Sequence, residues 1–151
     1  MTRRIVWSEY VSLDGVVDEP GQWSIPYFSD DLAEYKSDEL LASDALLLGR
    51  ITYEGFAAAW PTMEEVEGDF AVRMITLPKY VAYTRLKSAD WNNSTIIREN
   101  VPDEVRMLVH PITVGTGKRL FEGANDSVAL ALVATQSFDS GVVALTYRAV
   151  G

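Results

Sequence analysis

From Ile5 to Thr84 the sequence alternates short apolar runs, each stopped by glycine or a polar turn, with segments of helical period. Two long β runs then close the chain. Helices interleaved with strands, followed by a terminal hairpin, admit few architectures; the order predicts an α/β fold on a mixed sheet. Ile5–Ser12 reads as the first strand, and Ala45–Leu48 is a continuous apolar run of the kind buried on both faces in a parallel sheet. Lys79–Thr84, Thr95–Ile97 and Val105–Pro111 read as further strands. Ser29, with Asp30 and Asp31 after it, starts a helix to Leu41, because a serine caps free N–H groups and anions suit that end of the dipole. Leu32, Tyr35, Leu40 and Leu41 are its expected buried positions. Thr52–Trp60, stopped by Pro61, and Gly68–Thr76 read as helices. Val128–Phe138 and Val142–Val150 meet around Asp139-Ser140-Gly141, where glycine supplies the positive φ of a hairpin turn.

With 151 residues the chain is expected to form one domain, 1–151, large enough to bury a core unaided. It has no cysteine and a single histidine, His110, which excludes disulfides, thiolate metal sites and histidine-rich metal centres. No metal is expected. The net charge of −9 argues against nucleic acid, whose binding rests on clustered Lys and Arg. No apolar stretch approaches the ~20 residues of a membrane span, so a soluble cytoplasmic protein is expected.

Several segments carry chemistry. Gly49-Arg50-Ile51-Thr52 is a strand–turn–helix step where backbone N–H groups, the Thr52 hydroxyl and a forked guanidinium suit a phosphate; a simple element end with a surface arginine accounts for it equally well. Trp23, Tyr27 and Phe28 lie in a loop, Val16–Phe28, too long and aromatic for a plain connector; they suit stacking on a flat ring or filling a core edge. Asp14 follows a strand and is a polar candidate, or a turn aspartate bound to nearby backbone. Asp30 and Asp31 read first as helix-terminal charges. His110, without a partner in local spacing, reads as structural. Gly115-Thr116-Gly117 reads as a packing loop, with Phe121 inside.

Ser12-Leu13-Asp14-Gly15, Leu48 through Tyr53, Ala59-Trp60-Pro61, and His110 through Phe121 occur in this order, each at an expected element end. Together they resemble the bacterial dihydrofolate-reductase-like proteins related to the C-terminal reductase domain of riboflavin-biosynthesis enzymes. The resemblance implies a three-layer α/β fold, with helices on both faces of a mostly parallel central sheet and a C-terminal antiparallel hairpin. It implies NADPH as cofactor, held by Ser12, Gly49, Arg50, Thr52, Thr84 and Arg85, with the last two at the 2′-phosphate. It further implies a small heterocyclic or carbonyl substrate near Trp23, Tyr27, Phe28 and Trp60, with Asp14 and Asp31 as catalytic candidates. A homodimer is implied as well, with the long C-terminal strands as a sheet-edge interface.

One segment departs from the pattern. The resemblance calls for a helix–strand–helix unit of roughly thirty residues between the Thr95 and Val105 strands, its glycine turn holding the cofactor pyrophosphate. Here Arg98–Glu104 runs straight across. Four inter-strand steps span roughly 19 Å, against about 20–24 Å for six or seven extended residues. Three outcomes stay open: a direct crossing, exchange with a neighbouring molecule, or a stretch this chain lacks. With the turn missing, weakened NADPH binding is expected, and a catalytically inactive binding or oligomerisation module is the alternative.

Overall fold

The computed structural model describes residues 4–82, 94–97, 103–122 and 127–150. Its strands are β1 (Val6–Ser12), β2 (Leu46–Gly49), β3 (Lys79–Ala82), β4 (Ser94–Ile97), β5 (Glu104–His110), β6 (Leu130–Ser137) and β7 (Val143–Ala149). Its α-helices are α1 (Pro20–Trp23), α2 (Asp30–Leu41), α3 (Arg50–Ala59), α4 (Glu64–Glu67) and α5 (Asp69–Thr76). The α/β class with a mixed sheet and a closing antiparallel hairpin is as the sequence implies. The strands divide into two sheets, β1-β5-β7-β6 and β2-β3-β4. The chain correspondingly forms two compact units, Met1–Ala33 with Val101–Gly151, and Glu34–Asn100.

In the first unit β1 and β5 run parallel, with Ser12 opposite His110 at their carboxyl ends, and β7 continues the sheet antiparallel to β5. Its core gathers Val11, Val16, Leu32, Val105, Leu108, Phe138, Val142 and Ala144, all buried. The hairpin turn is as tight as the sequence predicts. Gly141 sits at φ 91°, and a Cβ there would meet Pro111 Cγ at 3.2 Å. Any side chain would be strained by its dihedral and crowded by the proline.

In the second unit the parallel strands β2, β3 and β4 are short, and Leu48 of β2 and Val81 of β3 pack against Tyr53 of α3. Leu48, Tyr53 and Val81 form one buried cluster; Leu40, Met74 and Leu77 form another. Fully buried Lys79 extends its ammonium to the carbonyls of Ile75 at 2.6 Å and Leu77 at 3.0 Å. A cation there satisfies carbonyls left open at the end of α5.

Two burial expectations need correction. Leu41 is 62% exposed, because it lies a hundred degrees around the helix from buried Leu40. Phe121 is 52% exposed and meets Trp7 edge-on at 6.3 Å instead of entering the core.

Candidate functional site

The candidates fall in both units. In the first, the carboxyl ends of the parallel pair β1 and β5 carry Ser12, Asp14 and His110, which is where ligands sit in open α/β sheets. Ser12 is buried; its hydroxyl donates to Asp14 Oδ1 at 2.6 Å and accepts the Val16 N–H at 2.8 Å. Asp14 in turn accepts the N–H groups of Val114 and Gly115 at 3.0 and 2.9 Å. The Ser12 hydroxyl, then these two N–H groups, hold the Asp14 carboxyl down at about 2. It is therefore ionised at neutral pH, with no proton to give. Its place is that of a brace between the β1 turn and the loop after β5.

The same loop is fastened by backbone pairing. Leu13 N–H donates to Ile112 O, Val17 N–H to Lys118 O and Leu120 N–H to Gly15 O. Gly117, at φ 124°, lies so close to the opposite strand that a Cβ would stand 2.9 Å from Val16 Cγ1. Only Gly117 of the Gly115-Thr116-Gly117 stretch, expected as a packing loop, is closely packed; all three residues are exposed, and Gly115 has open space where a Cβ would stand.

The aromatic loop contains α1 and a 3-10 turn, Ile25–Tyr27, neither of which its proline-rich sequence announces. Its three rings separate in environment. Trp23 is buried, donates its indole N–H to Asp18 O at 2.9 Å and stands edge-on to His110 at 5.3 Å. Tyr27 is half-buried and meets the same imidazole at 6.1 Å. Phe28 is 58% exposed. His110 is the hub of this cluster, with Tyr10 also at 5.0 Å; its Nδ1 meets Leu108 O at 2.8 Å, and its buried Nε2 has no hydrogen-bond partner among the described residues. Burial pushes its pKa below the ordinary value, against the pull of backbone carbonyls, so the ring is neutral. The structural role read for His110 matches this setting.

Beside Trp23 lies a cleft of about 240 Å³ lined by Asp18, Glu19, Gln22, Val114, Thr116 and Gly117. Sequence reasoning passed over Asp18, Glu19 and Gln22, whose turn-like run Asp18-Glu19-Pro20-Gly21 gives no sign that Thr116 will face them. Asp31 is committed locally: Ser29 donates its hydroxyl to Oδ1, and Asp139 donates its backbone N–H to Oδ2 at 2.8 Å. The serine hydrogen bond leads in lowering its pKa, with burial opposing. Asp31 too is ionised at neutral pH.

In the second unit, β2 runs through Gly49 directly into α3. Gly49 has extended φ and ψ, and α3 has no side-chain cap on its N–H groups. A Cβ on Gly49 would meet nothing within 4 Å; Ile51 is 75% exposed and Thr52 is exposed. Arg50 pairs with Glu54 at 3.4 Å across one helical turn, at the surface. Open space before uncapped N–H groups, a hydroxyl and a guanidinium is a donor set that fits a phosphate. Trp60 packs within this unit on Phe56 and Phe70, at 6.3 and 5.4 Å between ring centres. Thr84 and Arg85, and the Arg98–Pro102 part of the shortened linker, lie outside the described residues.

Among the described residues, no helix is long and apolar enough to cross a membrane, and no group of acidic or histidine side chains is placed to hold a metal.

Comparisons with known proteins agree with the motifs. Residues 87–144 match the family model for the RibD C-terminal domain. The Bacillus subtilis protein YyaP, described as uncharacterized, is 23% identical over 180 residues, covering 97% of this chain and 95% of its own. That alignment is longer than the 151 residues here, so the relative carries about thirty residues that this chain lacks. A solved protein of Shewanella sp. PV-4, described as a riboflavin biosynthesis protein, shares the fold with a TM-score of 0.75 at 14% identity, over 99% of this chain and 100% of that one. A pyrimidine reductase-like protein from Corynebacterium diphtheriae follows at 0.58 and 12%, over 98% and 92%. Dihydrofolate reductase from Enterococcus faecalis, complexed with NADP(H), stands at 0.53 and 16%, over 97% and 96%. Residues 87–144 are thus similar to the RibD C-terminal domain, and the chain takes the dihydrofolate-reductase-like fold that its strand-end motifs implied.

Proposed function

We propose that the chain is a cytoplasmic NADPH-dependent reductase of a small heterocyclic or carbonyl substrate. The observation that carries this reading is the open step from β2 into α3, where exposed Gly49 and Thr52 stand at uncapped N–H groups beside Arg50. NADPH, when bound, supplies the hydride. The α3 N–H groups and the Thr52 hydroxyl bind phosphate oxygens; Arg50 adds charge-assisted donors. Arg85, with Thr84, takes the 2′-phosphate in this reading. Exposed Phe28 is the ring best disposed to lie on a flat substrate, whereas Trp23 and Tyr27 are turned to His110. Asp14 and Asp31 act by positioning their loops, and the proton for the reduced substrate comes from water or from a group other than these two.

The second reading, an inactive module on the same scaffold, is favoured by the ionised state of both candidate acids and by the missing glycine turn. Titrating NADPH while following tryptophan fluorescence, then offering pterin, pyrimidine and simple carbonyl acceptors, separates the two. Saturable NADPH binding with acceptor-dependent oxidation supports the reductase. Absence of binding at millimolar cofactor selects the inactive module. In the reductase, Arg50→Ala weakens NADPH by about 1.5–3 kcal/mol, roughly ten- to a hundredfold in the dissociation constant, with the thermal midpoint unchanged.

A further inference from the structure

The end of the four-stranded sheet away from Ser12 and His110 concentrates charge. Glu104 opens β5 opposite Val6 of β1 and Arg148 of β7, which sets the three on one face of the sheet. His110 closes the same strand six residues on, about 20 Å away at ~3.3 Å per residue. This end of the sheet is therefore separate from the candidate site.

Glu104 is 2% exposed, and three guanidiniums converge on it. Arg106, two residues along the same strand, puts Nε and Nη2 on Oε1 at 2.9 and 2.8 Å. These are the short contacts of a charge-assisted pair, and one guanidinium offsets one buried carboxylate. Arg148 and Arg4 share the other oxygen, with Nε and Nη2 of Arg148 at 3.3 and 3.2 Å and Nη1 of Arg4 at 3.5 Å. Both side chains are 52% exposed. Of the five N–H donors in each fork, Arg148 turns two and Arg4 one toward Glu104.

The charges do not balance. Glu104 cancels one of three positive charges, and the carboxylate next to it, Asp103, accepts the Ile5 N–H at 2.6 Å. Even with Asp103 counted in full, positive charge is left over. Three of the 13 basic residues of a chain with net charge −9 thus meet at one buried carboxylate, and the local sign reverses that of the whole. Two guanidiniums held against one oxygen also repel each other, and an anion between them replaces that repulsion with attraction.

We propose that Arg4 and Arg148 form a binding site for a phosphate-class oxyanion, inorganic phosphate or a phosphate monoester, with Glu104 and Arg106 as the buried frame that aims them. A tetrahedral dianion offers acceptor oxygens to both forks at once, and its charge matches the two guanidiniums beyond the Arg106 pair. The site lies wholly within the first unit and does not depend on the reductase reading.

Amide chemical shifts of the unmodified protein test this, followed through titrations with inorganic phosphate, with glycerol phosphate and with sodium chloride at matched ionic strength. Both phosphates should move the Ile5, Glu104 and Arg148 amides saturably, and chloride should not. Tighter binding of glycerol phosphate marks a monoester site, and tighter binding of inorganic phosphate marks a site for the free ion; either supports the proposal. No saturable shift at these residues, or equal shifts with chloride, overturns it. Arg4→Gln combined with Arg148→Gln should weaken phosphate by roughly tenfold or more with circular dichroism unchanged. Arg50→Gln, at the step into α3, should leave these shifts in place. A folded double variant that binds phosphate as the unmodified protein does also overturns the proposal.

Discussion

The Asp31 carboxylate, on the first turn of α2, accepts the Asp139 backbone N–H at 2.8 Å, so a helix start and a hairpin turn 108 residues apart hold one another. Its other oxygen receives the Ser29 hydroxyl and the Leu32 N–H. One side chain thus serves as local cap and long-range latch. Asp31→Ala should lower the urea midpoint and release the Asp139 amide to solvent exchange. Asp30→Ala, at an exposed neighbour, should do neither. Unchanged protection of the Asp139 amide in Asp31→Ala would show that the latch is not what orders the turn.

Acid should weaken this protein in two stages. Burial depresses the pKa of His110, so the unfolded chain takes up a proton that the folded one refuses. Stability is therefore full above the ordinary value of 6.5 and declines as pH falls below it. Asp14, Asp31 and Glu104 are depressed carboxylates. For Glu104 burial pushes upward, and the guanidiniums of Arg106, Arg148 and Arg4 outweigh it. Their contribution is full above the ordinary carboxylate range and is lost as pH drops through the folded values, about 2 for Asp14. Urea midpoints measured from neutral into acid should show a shallow limb and then a steep one. His110→Gln should erase the shallow limb alone.

The sequence carried the elements more clearly than the partnerships. Helix α2 begins and ends where Ser29 and the apolar spacing put it, because capping and periodicity are local signals. The split between Leu40, buried, and Leu41, exposed, depends on which way the helix faces, and two adjacent leucines cannot announce that. Asp14 was visible as a polar residue beyond a strand. Its partners Val114 and Gly115 are about a hundred residues away, so the brace was not. The cleft beside Trp23 was missed for the same reason, since Asp18 and Thr116 meet only through backbone pairing of distant loops.

Lys79 illustrates a buried charge with a packing task. Its stem is fully buried, and its ammonium holds the Ile75 and Leu77 carbonyls. Burial lowers its pKa. Lys79→Ala removes the stem and leaves two acceptors under-satisfied, at a cost of about 2–4 kcal/mol. Lys79→Met keeps the stem and sheds the buried charge, so it should cost about 1 kcal/mol or less. Chemical denaturation of the two variants decides the matter. Equal losses would mean the ammonium contacts, and not the packing, govern the site.

The three loop aromatics should part company under mutation, because their environments differ more than their chemistry. Trp23 is 7% exposed, with its indole N–H satisfied by Asp18 and its edge on His110. Truncation there opens a cavity beneath the cluster and should cost about 3–5 kcal/mol. Tyr27 is half-buried against the same imidazole, and Tyr27→Ala should fall between the extremes. Phe28 has more than half its surface in water, so Phe28→Ala should move stability by about 0.5 kcal/mol or less. If Phe28 lies on the substrate, its loss should raise KM severalfold with the fold unchanged. A Phe28→Ala protein as destabilised as Trp23→Ala would instead make all three rings core residues and leave the loop without a ligand-facing aromatic.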